Sequence, residues 1–531
     1  MQHALPSPLF AAALFPAAAL LFAATFAGCG TQPTPREAKP ALPTEPVIAR
    51  AADAKVPPFL FTPTDDALLD EVSRGCFNFL WNAGDPRTNM VPDRTGDTII
   101  SVAGVGFQLS ALPIGVERGW VSRPDAAARA EKILGLLEAD PRIRHQGIFQ
   151  HFLDGATAGP HTKTHEHVAS TIDSAILFSG LLTCSTYFGG EIAKVSDRIF
   201  AQANWQAFMQ PSKDDKPFEA GFISLGWKPH DNANLAGPGE ILPYRWVDSG
   251  CEHRLVTFLA VCAPDPTHRA DPEAYYKLRR GLGTDDASGQ VVFFPFSGAL
   301  FTAQFSHLWM DYAHLGPDNP AAFNVAHRPQ VDWWENSRRL TLLHRARAVE
   351  NRRALPTLGP SAWGFTASDV PAGYGVFGVF PKPAHPAHWI PEWDYSTWNP
   401  GEDLGDGTIA PYAAASSIIF EPQLALEALR HYRTLAASGA VPKLWSDPAG
   451  GGYGFADAFN MRGQNQQAWV APDHLAIDQG PMLLAIENAR SGLIWALFQK
   501  HRWVKAGWDR LGEDPRTPHK RPITRSAPPI R

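Results

Sequence analysis

Apolar side chains recur along most of the chain at the spacing of an α-helix. Near the start of the chain Leu69, Val72, Cys76 and Phe79 are separated by three or four residues, which places them on one helix face. Thr64 precedes this stripe and is a suitable N-cap. The pattern therefore predicts a helix over about 66–82.

The same periodicity predicts eleven further helices. They fall near 101–117, 123–138, 171–187, 191–204, 248–263, 271–282, 301–314, 329–350, 409–418, 421–437 and 478–499. About twelve helices fit an all-α fold built as an (α/α)6 barrel of six helix pairs, although the pattern also fits irregular helical packing. Two segments rich in Gly, Pro and Trp, 206–247 and 354–408, are predicted to be functional loops, with a short strand at 221–225.

Both ends of the chain are predicted to lie outside the folded domain. Residues 1–29 contain LFAAALFPAAALLFAATFA and end in FAGC, which predicts a signal peptide of the lipoprotein type with Cys29 lipidated. A plain secretory signal is the alternative, since the first residues, MQH, carry no Lys or Arg. A Pro-rich tether over 30–64, a single domain over 65–510 and a disordered tail over 511–531 complete the prediction. We expect an exported, periplasmic or outer-membrane-anchored lipoprotein.

Composition, charge and motifs argue against several classes of binding partner. The net charge is −6 and no long basic run occurs, so nucleic acid is not an expected partner. Motifs for nucleotide or metal cofactors are absent, and the histidine-rich HTKTHEH at 161–167 is interpreted as a solvated loop, so no cofactor and no metal are expected. We expect a monomer whose Cys76, Cys184, Cys251 and Cys262 stay free and buried.

Several carboxylates stand beside glycine, aromatic or apolar residues instead of on charged faces. These candidate acids are Asp173, Glu252, Asp311, Asp369, Asp406 and Asp478. Glycosidic cleavage needs a pair of such groups, one to protonate the departing oxygen and one to activate water. Structural alternatives exist. Ser170 to Asp173 has capping-box spacing, Asp406-Gly407 is a common turn, and Asp478 suits an N-cap.

A series of longer motifs points to a known family. In chain order these are SVAGVGFQLSALPIGVERGW, HFLD, STIDSAIL, LGWKPH, LPYRW, QFSHLWMDY, NSRR, WGFTASDVPAGYG, DGTIAP, GFADAFN and IDQGPMLLAIENARSGLIW. They resemble the bacterial glucoamylase-like domain family, which includes the endo-β-1,2-glucanases of glycoside hydrolase family 144, over nearly all of 65–505. They also resemble the glucanase-like part of cyclic β-1,2-glucan synthases. The resemblance implies an (α/α)6 barrel and metal-free, inverting hydrolysis of β-1,2-glucan to short oligosaccharides.

The resemblance also implies roles for single residues. It makes Glu252 the general acid and makes Asp173 and Asp406 pocket carboxylates. We expect either Asp173 or Asp406 to deprotonate the attacking water, directly or through a relay. Alongside these we expect the substrate to contact aromatic and polar side chains, each of which is alternatively a core or ion-pairing residue. These are Trp227, Trp246, Trp309, Trp363, Tyr374, Arg94, Arg245, His307, Asp311, Asp369 and Asp478.

Two departures from the family pattern keep other functions open. Val168 stands five positions before Asp173, where relatives carry an acid, and Glu166 is the nearest substitute. His253 and Arg254 follow Glu252, where small and apolar residues are common. The alternatives are a transglycosylase, an α-glucan hydrolase on the same barrel, and a lipoprotein that binds glucan without cutting it.

Overall fold

The chain folds into thirteen described helices with short strands between them. The computed structural model describes residues 46–50, 56, 58–161, 167–211, 221–231, 237–285, 291–293, 298–379, 381–383, 403–463 and 467–513. The helices are α1 Pro63–Asn82, α2 Val102–Glu117, α3 Arg123–Ala139, α4 Thr171–Phe188, α5 Gly190–Ala201, α6 Cys251–Cys262, α7 Glu273–Tyr276, α8 Trp333–Asn351, α9 Pro411–Ser416, α10 Pro422–Ala437, α11 Ala476–Ser491, α12 Leu493–Lys500 and α13 Arg502–Leu511.

The strands form two- and three-stranded antiparallel sheets. They are β1 Ile99–Ser101, β2 Arg144–His145, β3 Ile148–Phe149, β4 Phe152–Asp154, β5 Ala169–Ser170, β6 Gly226–Pro229, β7 Gly239–Ile241, β8 Leu282–Thr284, β9 Val291–Phe293, β10 Ala367–Val370, β11 Gly373–Val376, β12 Lys382–Pro383, β13 Trp445–Ser446, β14 Gly454–Phe455, β15 Phe459–Asn460 and β16 Trp469–Val470. β1 and β5 run directly into α2 and α4, so this sheet structure positions the starts of inner helices.

Six elements form an inner ring. α2 packs against α4 and α11, α4 against α6, α6 against the 3-10 turns at 300–303 and 305–308, and α9 against α11. Almost every residue of α2, α4 and α11 is buried, which explains their continuous apolar sequences. Where α2 meets α4, a Cβ on Gly180 would lie 1.9 Å from the Gly106 carbonyl oxygen, so this close helix contact requires glycine.

Six of the remaining helices form an outer layer that alternates with the ring along the chain. α1, α3, α5, α7, α8 and α10 each precede one inner element, so the inner elements all begin at the same end of the barrel. Ion pairs from α1 help to close the ring, because Asp65 pairs with Arg430 of α10 and Asp66 lies 3.1 Å from Arg490 of α11. The predicted all-α (α/α)6 architecture is confirmed.

Three predicted helices differ from the observed ones. The segment 301–314 forms two 3-10 turns, and 271–282 contains only the four-residue α7. The segment 478–499 is divided into α11 and α12 by Gly492, whose φ of +69° ends the first helix in the left-handed conformation. α13 was not predicted.

The folded body begins earlier than the predicted boundary at residue 65. α1 starts at Pro63 and is capped by Thr62, not Thr64. Residues 46–50, placed in the tether by the sequence analysis, pack against the loop before α8: the Ile48 carbonyl accepts a hydrogen bond from Asp332 N–H at 2.8 Å. Arg50 lies 2.6 Å from the Asp332 carboxylate. This segment is called the N-terminal strap below.

The described residues also bear on membrane spans and on the cysteines. No helix within the described ranges has the length and apolar character needed to cross a membrane. Cys76, Cys184, Cys251 and Cys262 are buried free thiols, as predicted. The predicted signal peptide with Cys29, most of the tether and residues 514–531 of the predicted tail lie outside the described residues.

Candidate active site

Three of the candidate acids lie in the first turns of inner helices. Asp173 belongs to the first turn of α4, Glu252 to that of α6 and Asp478 to that of α11. Because the inner elements begin at the same end, these carboxylates gather at one mouth of the barrel. The positive end of each helix dipole also favours a carboxylate there.

Asp173 is both part of a helix start and an oriented carboxylate. Its backbone N–H donates to the Ser170 hydroxyl at 3.4 Å, which is the capping contact expected from the sequence. The Ser170 hydroxyl in turn donates to Asp173 Oδ2 at 2.5 Å, and His151 Nε2 lies 3.3 Å from Oδ1. The buried carboxylate is therefore held in position from two sides, as a catalytic base requires.

Glu252 has the opposite environment. Burial, and secondarily the nearby charge of Asp173, raise the pKa of Glu252 to about 8. Within the described ranges its carboxyl group makes no hydrogen bond or ion pair, and its oxygens are not enclosed by protein. Glu252 is thus protonated at neutral pH and open to a ligand, which are the properties of a general acid.

A second group of acids lies around Arg94. The Arg94 guanidinium is 3.4 Å from Asp369 and 3.2 Å from Asp473, and Asp457 accepts a 2.7 Å hydrogen bond from the backbone N–H of Asp369. Burial raises the pKa of Asp369 to about 7 and that of Asp457. Burial and the adjacent Asp457 raise the pKa of Asp478 well above its usual value. A group of this kind retains protons and is suited to hydrogen-bonding hydroxyls.

Two tyrosines connect this second group to the rest of the mouth. Burial is the main reason that the pKa values of the Tyr374 and Tyr412 hydroxyls are raised. The negative charge of nearby Asp478 is the second reason for both. Glu252 contributes to the shift at Tyr412 as well, so that tyrosine lies near both Asp478 and Glu252. Asp369, Asp478, Arg94 and Tyr374, predicted from separate motifs, are therefore brought together with Glu252.

Asp93 and His151 were not among the site residues predicted from the sequence. Asp93 is buried, and burial raises its pKa to about 6 despite the favourable charges of Arg94 and His151. The His151 ring stacks on Phe152 at 3.7 Å and faces Asp173. His151 belongs to the HFLD motif and Asp93 precedes Arg94, so both were visible in the sequence. Only tertiary packing shows that they approach Asp173.

Five other candidate residues are buried inside the folded chain. Trp309 stacks on Phe107 at 5.3 Å and donates to the Ser110 hydroxyl, and Trp227 stacks on His145 at 3.8 Å. His307 contacts Ser337 at 3.0 Å and Asp311 contacts His314 at 2.5 Å. Their side chains are almost entirely enclosed by other residues of the same chain, so little of their surface is open to a sugar ring. They are Trp227, Trp309, Trp363, His307 and Asp311.

Asp406 is also separate from the catalytic group. It is exposed, and its carboxylate accepts hydrogen bonds from the backbone and hydroxyl of Thr408 at 3.0 and 2.6 Å. This is the turn that the Asp-Gly dipeptide allowed as the alternative. Of the other candidates, Trp246 is half-buried at the start of α4, and Arg245 is buried beside it.

The histidine-rich segment is only partly described. His161 and His167 are buried, and 162–166, with Glu166, lies outside the described residues. In the described ranges no group of three or more His, Cys, Asp or Glu side chains is arranged to hold a metal ion.

Comparisons with known proteins agree with the motif analysis. The family model described as putative glucoamylase matches residues 243–502. The exo β-1,2-glucooligosaccharide sophorohydrolase (non-reducing end) of Parabacteroides distasonis is 25% identical over 480 residues, or 84% of this chain and 58% of that protein. The chain thus spans less than two thirds of that relative's length.

Solved structures show the same fold. A putative glucoamylase from Bacteroides fragilis has 26% identity and a TM-score of 0.68, covering 87% of this chain and 100% of that one. The endo-β-1,2-glucanase of Chitinophaga pinensis, in a complex with sophorotriose and glucose, has 24% identity and a TM-score of 0.67, covering 85% and 99%. The resemblance to the glucoamylase-like family is confirmed, and the relatives with a named activity are glycoside hydrolases, as predicted for this chain.

Proposed function

We propose that this chain is a glycoside hydrolase that cleaves β-1,2-glucan, or a related β-glucan, to short oligosaccharides with inversion. The observation that supports this most directly is the pairing of Glu252 with Asp173 at the starts of adjacent inner helices, with the pKa of Glu252 raised to about 8. The substrate is inferred from the relative of Parabacteroides distasonis, whose name states β-1,2-glucooligosaccharides.

In the proposed reaction Glu252 is the general acid. Its proton passes to the glycosidic oxygen as the bond from that oxygen to the anomeric carbon breaks. A neutral carboxyl group is needed for this step, and the raised pKa keeps Glu252 protonated up to about pH 8. Activity should therefore fall on the alkaline side with an apparent pKa near this value.

Asp173 is the proposed general base. It takes a proton from water, directly or through a relay, while the water oxygen bonds to the anomeric carbon from the opposite face. The hydrogen bond from Ser170 and the approach of His151 hold the Asp173 carboxylate in one orientation. After the reaction Asp173 holds the proton and Glu252 is ionised, and exchange with solvent restores the starting state.

The test is hydrolysis of linear β-1,2-glucan by the 30–531 protein, with products separated by chromatography. Short oligosaccharides are expected from the wild type, and losses of about 10²–10⁴-fold from Glu252→Gln and Asp173→Asn. Asp406→Asn, which keeps the turn acceptor, is expected to act within about twofold of the wild type. Loss of activity in Asp457→Asn but not in Asp173→Asn would move the base to the acids around Arg94.

The alternatives give different products in the same assay. A transglycosylase lengthens chains, and an α-glucan hydrolase cuts starch-type glucans and leaves β-1,2-glucan intact. A binding protein retains oligosaccharide without turnover, and Glu252→Gln then has no effect. NMR of the newly formed anomer separates inversion from retention, and the size distribution at early times separates exo from endo cleavage.

Export and anchoring are also part of the proposal. The segment 1–29 would direct export, and lipidation at Cys29 would hold the enzyme at a periplasmic or outer-membrane surface. Mass spectrometry of the protein from membranes tests this, with Cys29→Ala expected to release it into the soluble fraction. Light scattering of the 30–531 protein tests the expected monomer.

A further inference from the structure

Trp246 lies between the beginnings of α4 and α6. Its indole N–H donates to the Thr171 hydroxyl at 2.8 Å, and Thr171 is the first residue of α4. Its backbone N–H donates to the Ile223 carbonyl at 2.9 Å. The ring is half-buried, and its polar atom is already satisfied. The part of the indole that remains open is therefore an apolar surface at the mouth, close to Asp173.

His253 follows the proposed general acid directly and lies beside this indole. Its ring centroid is 4.7 Å from that of Trp246, at a tilt of 48°. Nδ1 lies 2.5 Å from the Asp248 carbonyl oxygen. A carbonyl oxygen only accepts, so Nδ1 carries the hydrogen, and Nε2 is left as an acceptor.

The environment keeps His253 neutral. Burial lowers the pKa of His253 to about 4. The charged groups near the ring are Asp248, Arg279 and Arg254, and the first two form a 2.8 Å ion pair with each other. In the part of the chain that the structure describes, Nε2 has no hydrogen-bond partner and is not enclosed by protein.

We propose that Trp246 and His253 form a subsite for one glucosyl unit at the barrel mouth, between the beginnings of α4 and α6, in which His253 Nε2 accepts a hydrogen bond from a sugar hydroxyl. The inference rests on the proposed function and adds a binding residue to it. A glucosyl unit has C–H groups on its face and hydroxyl donors on its rim. An indole surface beside an uncharged acceptor matches both features.

Two substitutions separate this role from a structural one. In His253→Asn the amide nitrogen takes the place of Nδ1 and preserves the contact with Asp248, but nothing replaces Nε2. In His253→Gln the side-chain oxygen reaches the position of Nε2 and the contact with Asp248 is lost. If His253 binds substrate, His253→Asn should weaken substrate binding and His253→Gln should largely retain it. If His253 has only a structural role, the opposite result is expected.

The expected results follow from the loss of one hydrogen bond to substrate. His253→Asn should raise KM by about five- to tenfold with kcat within about twofold, because the contact exists in both ground and transition states. His253→Gln should stay within about threefold of the wild type. His268→Asn is the matched control, since His268 contacts the Ala201 carbonyl beyond the far end of α6. Equal effects of Asn and Gln, or damage from Gln alone, would overturn the subsite.

Chain length gives an independent readout. With β-1,2-linked oligosaccharides of two to six glucose units, the Asn penalty should appear only for chains long enough to reach the subsite and then stay constant. A penalty that keeps growing with each added glucose unit contradicts binding of a single unit. If the wild type cleaves none of these oligosaccharides, the proposed function fails. Calorimetric titration of the wild type and His253→Asn then still tests the subsite, and equal affinities reject it.

Discussion

Replacing Glu252 by Gln should make the protein more stable at high pH as well as less active. The pKa of Glu252 is raised from 4.5 to about 8 in the folded state. Between these values the folded protein binds more protons than the unfolded chain, so stability falls as pH rises through this window. This loss of folding stability is absent below about pH 4.5 and complete above about pH 8. Glutamine never ionises and therefore removes it.

The size of this effect follows from the shift. A difference of about 3.5 pKa units, at about 1.4 kcal/mol per unit, limits the destabilisation to about 5 kcal/mol. Partial solvent access to the half-buried side chain reduces this destabilisation to roughly 2–4 kcal/mol. At about 2.1 cal/mol/K per residue, a domain of roughly 450 residues gains about 1 °C in Tm for each kcal/mol. Glu252→Gln should thus raise Tm by about 2–4 °C at pH 9 and by less than about 1 °C at pH 5.

Differential scanning calorimetry of the 30–531 protein at both pH values checks the prediction. Glu240→Gln is a suitable control, because Glu240 is an exposed carboxylate on β7 and should give the same Tm change at both pH values. A Tm gain for Glu252→Gln that is equal at pH 5 and pH 9 would refute the reasoning. Glu252 would then be ionised in the folded state at both pH values and unsuited to donate a proton at neutral pH.

Three further predictions concern other parts of the molecule. His151→Asn should lower kcat by about tenfold with KM nearly unchanged, since His151 Nε2 lies 3.3 Å from Asp173 Oδ1 and helps to orient the proposed base; an unchanged kcat would leave His151 a structural role only. Trp309→Ala should cost about 3–5 kcal/mol of stability in chemical denaturation with KM unchanged, because Trp309 is core, and a raised KM at full stability would restore its role in sugar binding. A chain starting at residue 51 should unfold about 2–4 kcal/mol more easily than one starting at 46, since only the latter keeps the N-terminal strap with buried Ile48; equal denaturation midpoints would show that the strap adds nothing.

Helical periodicity and the order of motifs allowed the sequence to predict most of the fold. Ten of the twelve predicted helices correspond to observed α-helices of six or more residues, because a buried stripe repeats locally along a helix and needs no knowledge of its partner. The exceptions depend on tertiary contacts. The segment 301–314 has apolar residues at helical spacing, yet it folds as 3-10 turns in the ring between α6 and α9.

The candidate site was predicted only in part, for the same reason. The position of Glu252 after Gly250 indicated a first-turn carboxylate that no cap requires, and that placement is confirmed. The sequence did not distinguish Trp246, which is half-buried at the mouth, from Trp309, which is core, because both tryptophans stand among mixed polar and apolar neighbours. Burial depends on which distant segments cover a side chain, and composition does not encode this.

Local patterning therefore determined the helices, their approximate ends and the acids at their first turns. Tertiary structure alone decided which acids share a site. Asp93 and His151 lie far from Asp173 in sequence and reach it because α2, α4 and α11 begin at one end of the ring. The raised pKa of Glu252 has the same origin, since burial and the charge of Asp173 are both created when α4 and α6 pack side by side. Long-range packing sets the local dielectric and the distances between charges, and these determine the proposed chemistry.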